Sequence, residues 1–219
     1  MPDLSFEKTF DGHVVGIDEA GRGPWAGPVT ITALWLNPDA YAQLPDDIND
    51  SKKIKSHRRA YLADVLRKPP HLNFTISKDV DDIDRHGIVK TTLLAMAEAA
   101  AGVIEQMVKA GISGPTHALV DGPLLPKEMP CASTAVIRGD SRSLSIAGAS
   151  IIAKNSRDLI MQALDIDWPA YGWCHNNGYG TRQHQQALAK YGISPHHRRS
   201  FAPIKRLVEV NNPVLDHHQ

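Results

Sequence analysis

Four acidic residues carry the chemistry that can be read first. Asp18 and Glu19 follow the apolar run "VVGI", Asp121 follows "ALV", and Asp140 closes "TAVIRGD". Adjacent carboxylates raise one another's pKa and resist joint ionisation unless something positive sits against them. If the three segments lie side by side in one sheet, all four carboxylates converge on the rim of strand ends where α/β sheets place their ligands. Such a group calls for a hard, oxygen-seeking cation such as Mg²⁺ or Mn²⁺, held by carboxylates together with substrate phosphate oxygens. The chemistry would then be metal-dependent phosphoryl transfer. One Asp at a strand end is ordinarily a turn former or a helix cap, so the signal is the coincidence of three.

Other constellations carry less. Gly21, Gly23 and Gly27 follow a strand, but their G-x-G-x-x-x-G spacing is not the dinucleotide fingerprint. Pro24 also stands where that motif opens its helix, and Asp18 and Glu19 would repel a pyrophosphate. Cys131 and Cys174 form no C-x-x-C pair and read as reduced thiols. His184, His196, His197, His217 and His218 show no spacing that pairs with a second ligand set, and Met96 and Met107 read as core residues.

The elements that must position the carboxylates follow from hydrophobic pattern. Val14 to Ile17 and Val29 to Leu36 are expected to pair as a hairpin-like start, and residues 71–79 alternate as a third strand. A basic helix spans Ser56 to Lys68 before "KPP", and a long Ala-rich helix runs from Ile88 to Ala110. Residues 116–122 and 134–140 are expected as strands ending at Asp121 and Asp140. A helix over residues 144–164 should turn Ile146, Ile151, Ile152, Leu159 and Ile160 inward. The fold class is therefore α/β, with shorter helices at the C-terminus. Residues 1–165 form the expected catalytic core, and residues 166–219 a helical extension of the same unit.

The chain has 219 residues, 42% of them hydrophobic, which suits one core with a modest appendage. No stretch approaches the length of a membrane span and the first residues lack a signal-peptide pattern, so a cytoplasmic location is expected. Lys plus Arg and Asp plus Glu balance at 24 each, so total charge gives no sign of a nucleic-acid partner. Distribution says more: Tyr171 to Arg206 holds six Lys or Arg and four His with no Asp or Glu. Charge alone fits a solvated face as well as a phosphate-binding one.

The motifs "GIDEAGRGPWAGPV", "NDSKKIKSHRR", "VDG", "RGDSRSLSIAGASIIAKNSRD" and "GYGTRQHQQALAKYGISPHHRRSFAPIK", in that order, resemble the type 2 ribonucleases H, and most closely ribonuclease HII. The resemblance spans nearly the whole chain. It implies a ribonuclease H-like mixed β-sheet flanked by helices, with a C-terminal helical extension. It also implies an endonuclease that cuts RNA in RNA/DNA hybrids and nicks 5′ of single ribonucleotides in duplex DNA, leaving 3′-hydroxyl and 5′-phosphate ends. Two Mg²⁺ or Mn²⁺ ions would serve the reaction, and the family's metal-binding carboxylates fall on Asp18, Glu19, Asp121 and Asp140. Gly21, Arg22 and Gly23 match the loop whose backbone contacts the ribose 2′-hydroxyl, and Tyr179 the tyrosine beside the ribonucleotide. Lys52, Lys53, Arg198 and Arg199 resemble phosphate-backbone contacts. A monomer is the default expectation, and the sequence leaves a replication-clamp partner open.

Departures touch no expected metal ligand: Pro123 stands where Asn is common, Gly148 where Ala is usual, and Arg138 where Lys is frequent. "CHNNGYGT" lacks a basic residue often found before the tyrosine motif. A junction resolvase or the sister type III ribonuclease H would share the chemistry, but the Gly21–Gly23 loop and Tyr179 favour ribonuclease HII, as does the lack of a long N-terminal binding domain. A silent nucleic-acid binder would suffer from four carboxylates facing phosphates.

Overall fold

Side-chain alternation sets the sheet. In a computed structural model that describes residues 1–211, β1 (Val14–Ala20) turns Val15 and Ile17 to one face, with Gly16 and Asp18 on the other. β2 (Val29–Trp35) pairs antiparallel with β1 in the register Ile17↔Ala33 and Asp18↔Thr32, giving the expected hairpin-like start. β3 (Leu72–Lys78) adds antiparallel to β2, while β4 (His117–Asp121) and β5 (Ala132–Val136) continue in parallel from β1. The sheet is mixed and five-stranded, in the order β3-β2-β1-β4-β5.

Helices cover both faces. α1 (Ser56–Arg67) and α4 (Leu144–Asp167) pack on one side with Leu34, Leu36, Leu62, Leu66 and Ile151. α3 (Ile88–Lys109), entered from the short α2 (Val80–His86), buries Ala95, Met96, Ala99, Val103 and Met107 against Val15, Ile17 and Ile31 on the other. Met96 and Met107 are thus core residues. Among the described residues, no single helix is long and apolar enough to cross a membrane.

α4 rides directly on β1. A Cβ on Gly16 would come 2.2 Å from the backbone carbon of Ser145, so only glycine permits this approach. The first turns of α4 are consequently buried all round, whereas its later inward face is Ala153, Arg157 and Met161, spaced by four. Leu159, expected to point inward, is 56% exposed, and Ile160 is only half-buried. The C-terminal region is helical, with α5 (Trp173–Asn176), α6 (Arg182–Tyr191) and α7 (Ala202–Asn211) around Tyr171, Trp173, Leu188 and Ile204. His217 and His218 lie outside the described residues.

Candidate active site

The parallel register sets the carboxylates together. β1 and β4 pair up to Ile17↔Val120, so Asp18 and Asp121 follow side by side at that rim. Glu19 projects from the opposite face of β1, but its longer side chain reaches the same point. Ligand oxygens of Asp18, Glu19 and Asp121 all lie within 4.8 Å of one another. Both β1 carboxylates belong to the strand itself, which continues three residues beyond the expected Ile17.

Asp140 arrives differently from expectation. β5 ends at Val136, and the chain then turns through Arg138, in the left-handed region at φ 56°, into a short 3₁₀ helix, Gly139–Ser141. A turn rather than a strand end therefore delivers this carboxylate, and it stands outside the 4.8 Å cluster. The turn is tied to the cluster, because Gly139 N–H donates to Asp121 Oδ1 at 2.7 Å.

Crowding has the electrostatic consequence that the sequence suggested. Burial, reinforced by Glu19 and Asp121, pushes the Asp18 carboxyl well above the usual carboxylate range, although Glu19 N–H donates to its Oδ1 at 2.6 Å. Burial and Asp121 also raise Glu19 against the opposing pull of Arg22, whose Nη1 lies 3.3 Å from Glu19 Oε1. Burial, Asp121 and Asp50 raise Asp140. A site that raises carboxyls by burial and by their mutual repulsion is one that a divalent cation would relieve. Beside Glu19 and Asp121 opens a cleft of about 70 Å³, walled by Arg22, Val89, Thr92 and Pro123.

Lys52 belongs to this neighbourhood. Partial burial lowers its pKa, but Asp50, Asp140 and Asp18 together outweigh that and raise it. Its loop is held by buried Arg59, whose Nη1 donates to the carbonyls of Ser51 (3.0 Å) and Ile54 (2.9 Å) while Nη2 pairs with Asp158 at 2.9 Å. Ser150 Oγ bonds Ser51 Oγ at 2.9 Å and also touches Asp18, coupling the loop to the cluster. Lys53 is instead exposed, 4.0 Å from Asp50, beside a separate depression lined by Asp47, Lys55, His57 and Arg58.

The glycine loop leaves β1 at Gly21, where φ is 96° and an added Cβ would come 2.0 Å from Arg157 Nε. Gly23 faces the ring of half-exposed Tyr179, whose Cε1 lies 3.5 Å from where a Cβ would stand. Residues 25–27 are stitched to the C-terminal region by Trp25 N–H to Gly178 O (2.8 Å) and Gly27 N–H to His196 O (2.9 Å).

Arg198 corrects the expectation that it contacts phosphate. It is fully buried, and its guanidinium donates to the carbonyls of Gly21, Arg22, Gly27 and Pro28, leaving none of it for solvent. Arg199 is exposed at another depression with Asp81, Asp84 and Arg85, and its backbone N–H donates to Asp84. Neither guanidinium joins the carboxylate cluster.

Arg157 had no place in the sequence expectation for the site. It lies buried beside Arg198 under the same loop, and the fourfold spacing Ala153, Arg157, Met161 was the signal that could have found it. His184 and His197 also meet, with Nε2 atoms 2.9 Å apart. Ser194 N–H donates to His197 Nδ1, so in the neutral ring the proton sits on Nε2 and points at His184, whose Nδ1–H then donates to Tyr179 O at 2.9 Å. Burial, with His184 adjacent, holds His197 down at about 3, which keeps the ring neutral. The pair braces the Tyr179 backbone.

Solved structures share this fold. Bst-RNase HIII in complex with Mn²⁺ matches with a TM-score of 0.73 over 96% of this chain and 73% of that one, at 16% identity, which shows a common fold. RNase HII of Archaeoglobus fulgidus, solved as a PCNA complex, matches with a TM-score of 0.69 over 89% of this chain and 96% of that one, at 25% identity. A ribonuclease H-like sheet with acidic side chains gathered at its β1/β4 rim defines the class, a metal-dependent ribonuclease. Sequence narrows it. The family description Ribonuclease HII fits residues 15–204, and ribonuclease HII of Jannaschia sp. (strain CCS1) is 44% identical over 207 residues, 94% of this chain and 98% of that protein. The chain belongs to the ribonuclease HII family.

Proposed function

We propose that the protein is an endonuclease that hydrolyses the RNA strand of RNA/DNA hybrids and nicks duplex DNA 5′ of a single embedded ribonucleotide. The observation that carries the reading is the juxtaposition of three clustered carboxylates with the Gly21–Gly23 loop, which itself faces Tyr179. Three crowded hard oxygen donors, of which burial and neighbouring charge raise Asp18 and Glu19, suit Mg²⁺ or Mn²⁺ rather than a thiophilic metal. Asp18, Glu19 and Asp121 would hold the metal, with Asp140 joining from its turn. Two divalent ions held there would supply activation of the attacking water and stabilisation of the departing 3′ oxygen.

The chain's own residues do the rest. Backbone groups of Gly21, Arg22 and Gly23 lie against the ribose and read its 2′-hydroxyl, the group that separates RNA from DNA. Tyr179 packs against the adjoining sugar, and Lys52 offers a cation to the phosphate beside the cluster. Lys53 and Arg199, both exposed, are assigned to phosphates farther along the duplex. Arg22, paired with Glu19, offsets part of its charge. Products carry 3′-hydroxyl and 5′-phosphate ends, and the cellular role is ribonucleotide removal during DNA replication and repair in the cytoplasm.

Residues 1–165 act in this reading as the catalytic core and 166–219 as an extension of the same unit. Its support is the apolar cluster in which Ala26 and Met161 pack with Trp173, Leu188 and Ile204. The working form is a monomer. A replication-clamp partner enters the proposal on one ground, the PCNA complex of the Archaeoglobus fulgidus protein.

The test is a denaturing gel. With Mn²⁺ or Mg²⁺ the protein should nick a duplex bearing one ribonucleotide and leave the all-DNA duplex whole. Equal cutting of both, or of neither, would refute the reading.

A further inference from the structure

Arg157 and Arg198 are 1% and 0% exposed, and among the described residues neither has a carboxylate within salt-bridge distance. Burial lowers their pKa values to about 10 and about 9, the second helped down by its neighbour, so both stay cationic at neutral pH. A buried charge without a counter-ion is costly, and an apolar side chain of similar volume would fill the space at lower desolvation cost. What the guanidinium groups supply is a fixed fork of donors. Arg157 uses it on the carbonyls of Pro28 (2.8 Å), Asn177 (3.0 Å) and Ala26 (3.1 Å). Arg198 uses it on Gly27 (2.9 Å), Arg22 (3.0 Å), Gly21 (2.6 Å) and Pro28 (3.0 Å).

Two of these carbonyls matter most. In a planar trans peptide, the C=O of one residue and the N–H of the next point in opposite directions. With Gly21 O and Arg22 O both drawn inward to Arg198, the N–H groups of Arg22 and Gly23 are both turned outward. Neither finds an acceptor among the described residues. Gly23 lies against Tyr179, so the two donors open on the side where the ribose is read.

We propose that Arg198, seated against Arg157, is a positioning residue for ribose recognition: it fixes the peptide orientation that presents the Arg22 and Gly23 N–H groups to the 2′-hydroxyl. The inference rests on the reading of Gly21–Arg22–Gly23 as the ribose-contacting loop. Arg198 itself touches no substrate. A lysine in its place offers one point of charge for four carbonyls and leaves the loop peptides free to rotate.

The experiment compares the full-length protein with its Arg198→Lys and Arg157→Lys variants in Mn²⁺. It measures KM for a duplex with one ribonucleotide and Ki for the same duplex in all-DNA form as competitor. The wild type should show Ki well above KM. In Arg198→Lys, KM should rise about ten-fold, the loss of one charge-assisted hydrogen bond, with Ki unchanged and the fold intact by circular dichroism. Arg157→Lys should move the ratio the same way, and it carries the test if Arg198→Lys does not fold.

A rise in KM and Ki together, with a salt slope shallower by about one, would instead make Arg198 a phosphate contact and overturn the proposal. So would variants that lose folded fraction while the remainder keeps the wild-type ratio. A wild type with Ki equal to KM would remove the loop's role, and the proposal with it.

Discussion

Replacing Asp18 by Asn tests the electrostatics of the site with little change of shape. The amide keeps the oxygen that accepts Glu19 N–H at 2.6 Å but removes a buried charge from a group whose ligand oxygens lie within 4.8 Å. At that separation and an effective dielectric constant near 20, each pair of carboxylates repels by about 3–4 kcal/mol. Burial, with this repulsion added to it, is why the Asp18 carboxyl titrates high, and the metal-free protein sheds part of the cost by holding protons. A carboxyl whose folded pKa exceeds its unfolded value binds its proton more tightly in the folded state, so its contribution to stability is lost as pH rises through that interval.

At neutral pH in EDTA, Asp18→Asn should therefore be the more stable protein, by about 1–2 kcal/mol, or a Tm about 2–8 °C higher for a chain of this size. Saturating Mn²⁺ should reverse the order. At a hundred times its Kd the ion stabilises the wild type by about 2.7 kcal/mol, while the variant, lacking a ligand, gains far less. Thermal melts in EDTA and in Mn²⁺, at two pH values, read all of this. An Asp18→Asn protein that melts below wild type in EDTA, or gains as much from Mn²⁺, would refute the reasoning.

Gly21→Ala should destabilise by several kcal/mol, because its Cβ would meet Arg157 Nε at 2.0 Å on a backbone with φ 96°; a urea midpoint within error of wild type would contradict this. Glu7 is buried at the N-terminus of α4, where its Oε1 accepts from Ser143 Oγ (2.6 Å), Ser145 Oγ (2.7 Å) and Ser145 N–H (2.9 Å). Glu7→Ala should cost about 2–4 kcal/mol by denaturant titration, from lost charge-assisted bonds and the helix dipole. Tyr179→Ala should slow cleavage at a single ribonucleotide more than cleavage of long hybrids, and equal losses on both would exclude a junction-sensing role.

The sequence was most legible where pattern and packing coincide. Strand alternation and the long Ala-rich helix gave the sheet and α3, and the positions of Asp18 and Asp121 follow from strands whose ends align by register. Asp140 was harder, because nothing in "IRGD" says that the ladder stops at Val136 and that Arg138 takes a left-handed conformation. The second half of α4 misled for a related reason: Leu159 is apolar but exposed, and the inward position is taken by a charge. The basic stretch of residues 171–206 looked uniform. Its charges divide sharply, with Arg198 buried on carbonyls and Arg199 in solvent one residue later, and composition does not record burial. His184 and His197 are likewise joined by the meeting of α6 with the segment after it, which spacing along the chain does not reveal.

Asp18, Glu19 and Asp121 are proposed to hold divalent metal together. Anomalous diffraction from crystals soaked in Mn²⁺ tests it most directly. Manganese density is expected in contact with Asp18 and Asp121 at the β1/β4 rim, with Glu19 and Asp140 turned toward it. Manganese bound only elsewhere, with that rim empty at millimolar ion, would contradict it.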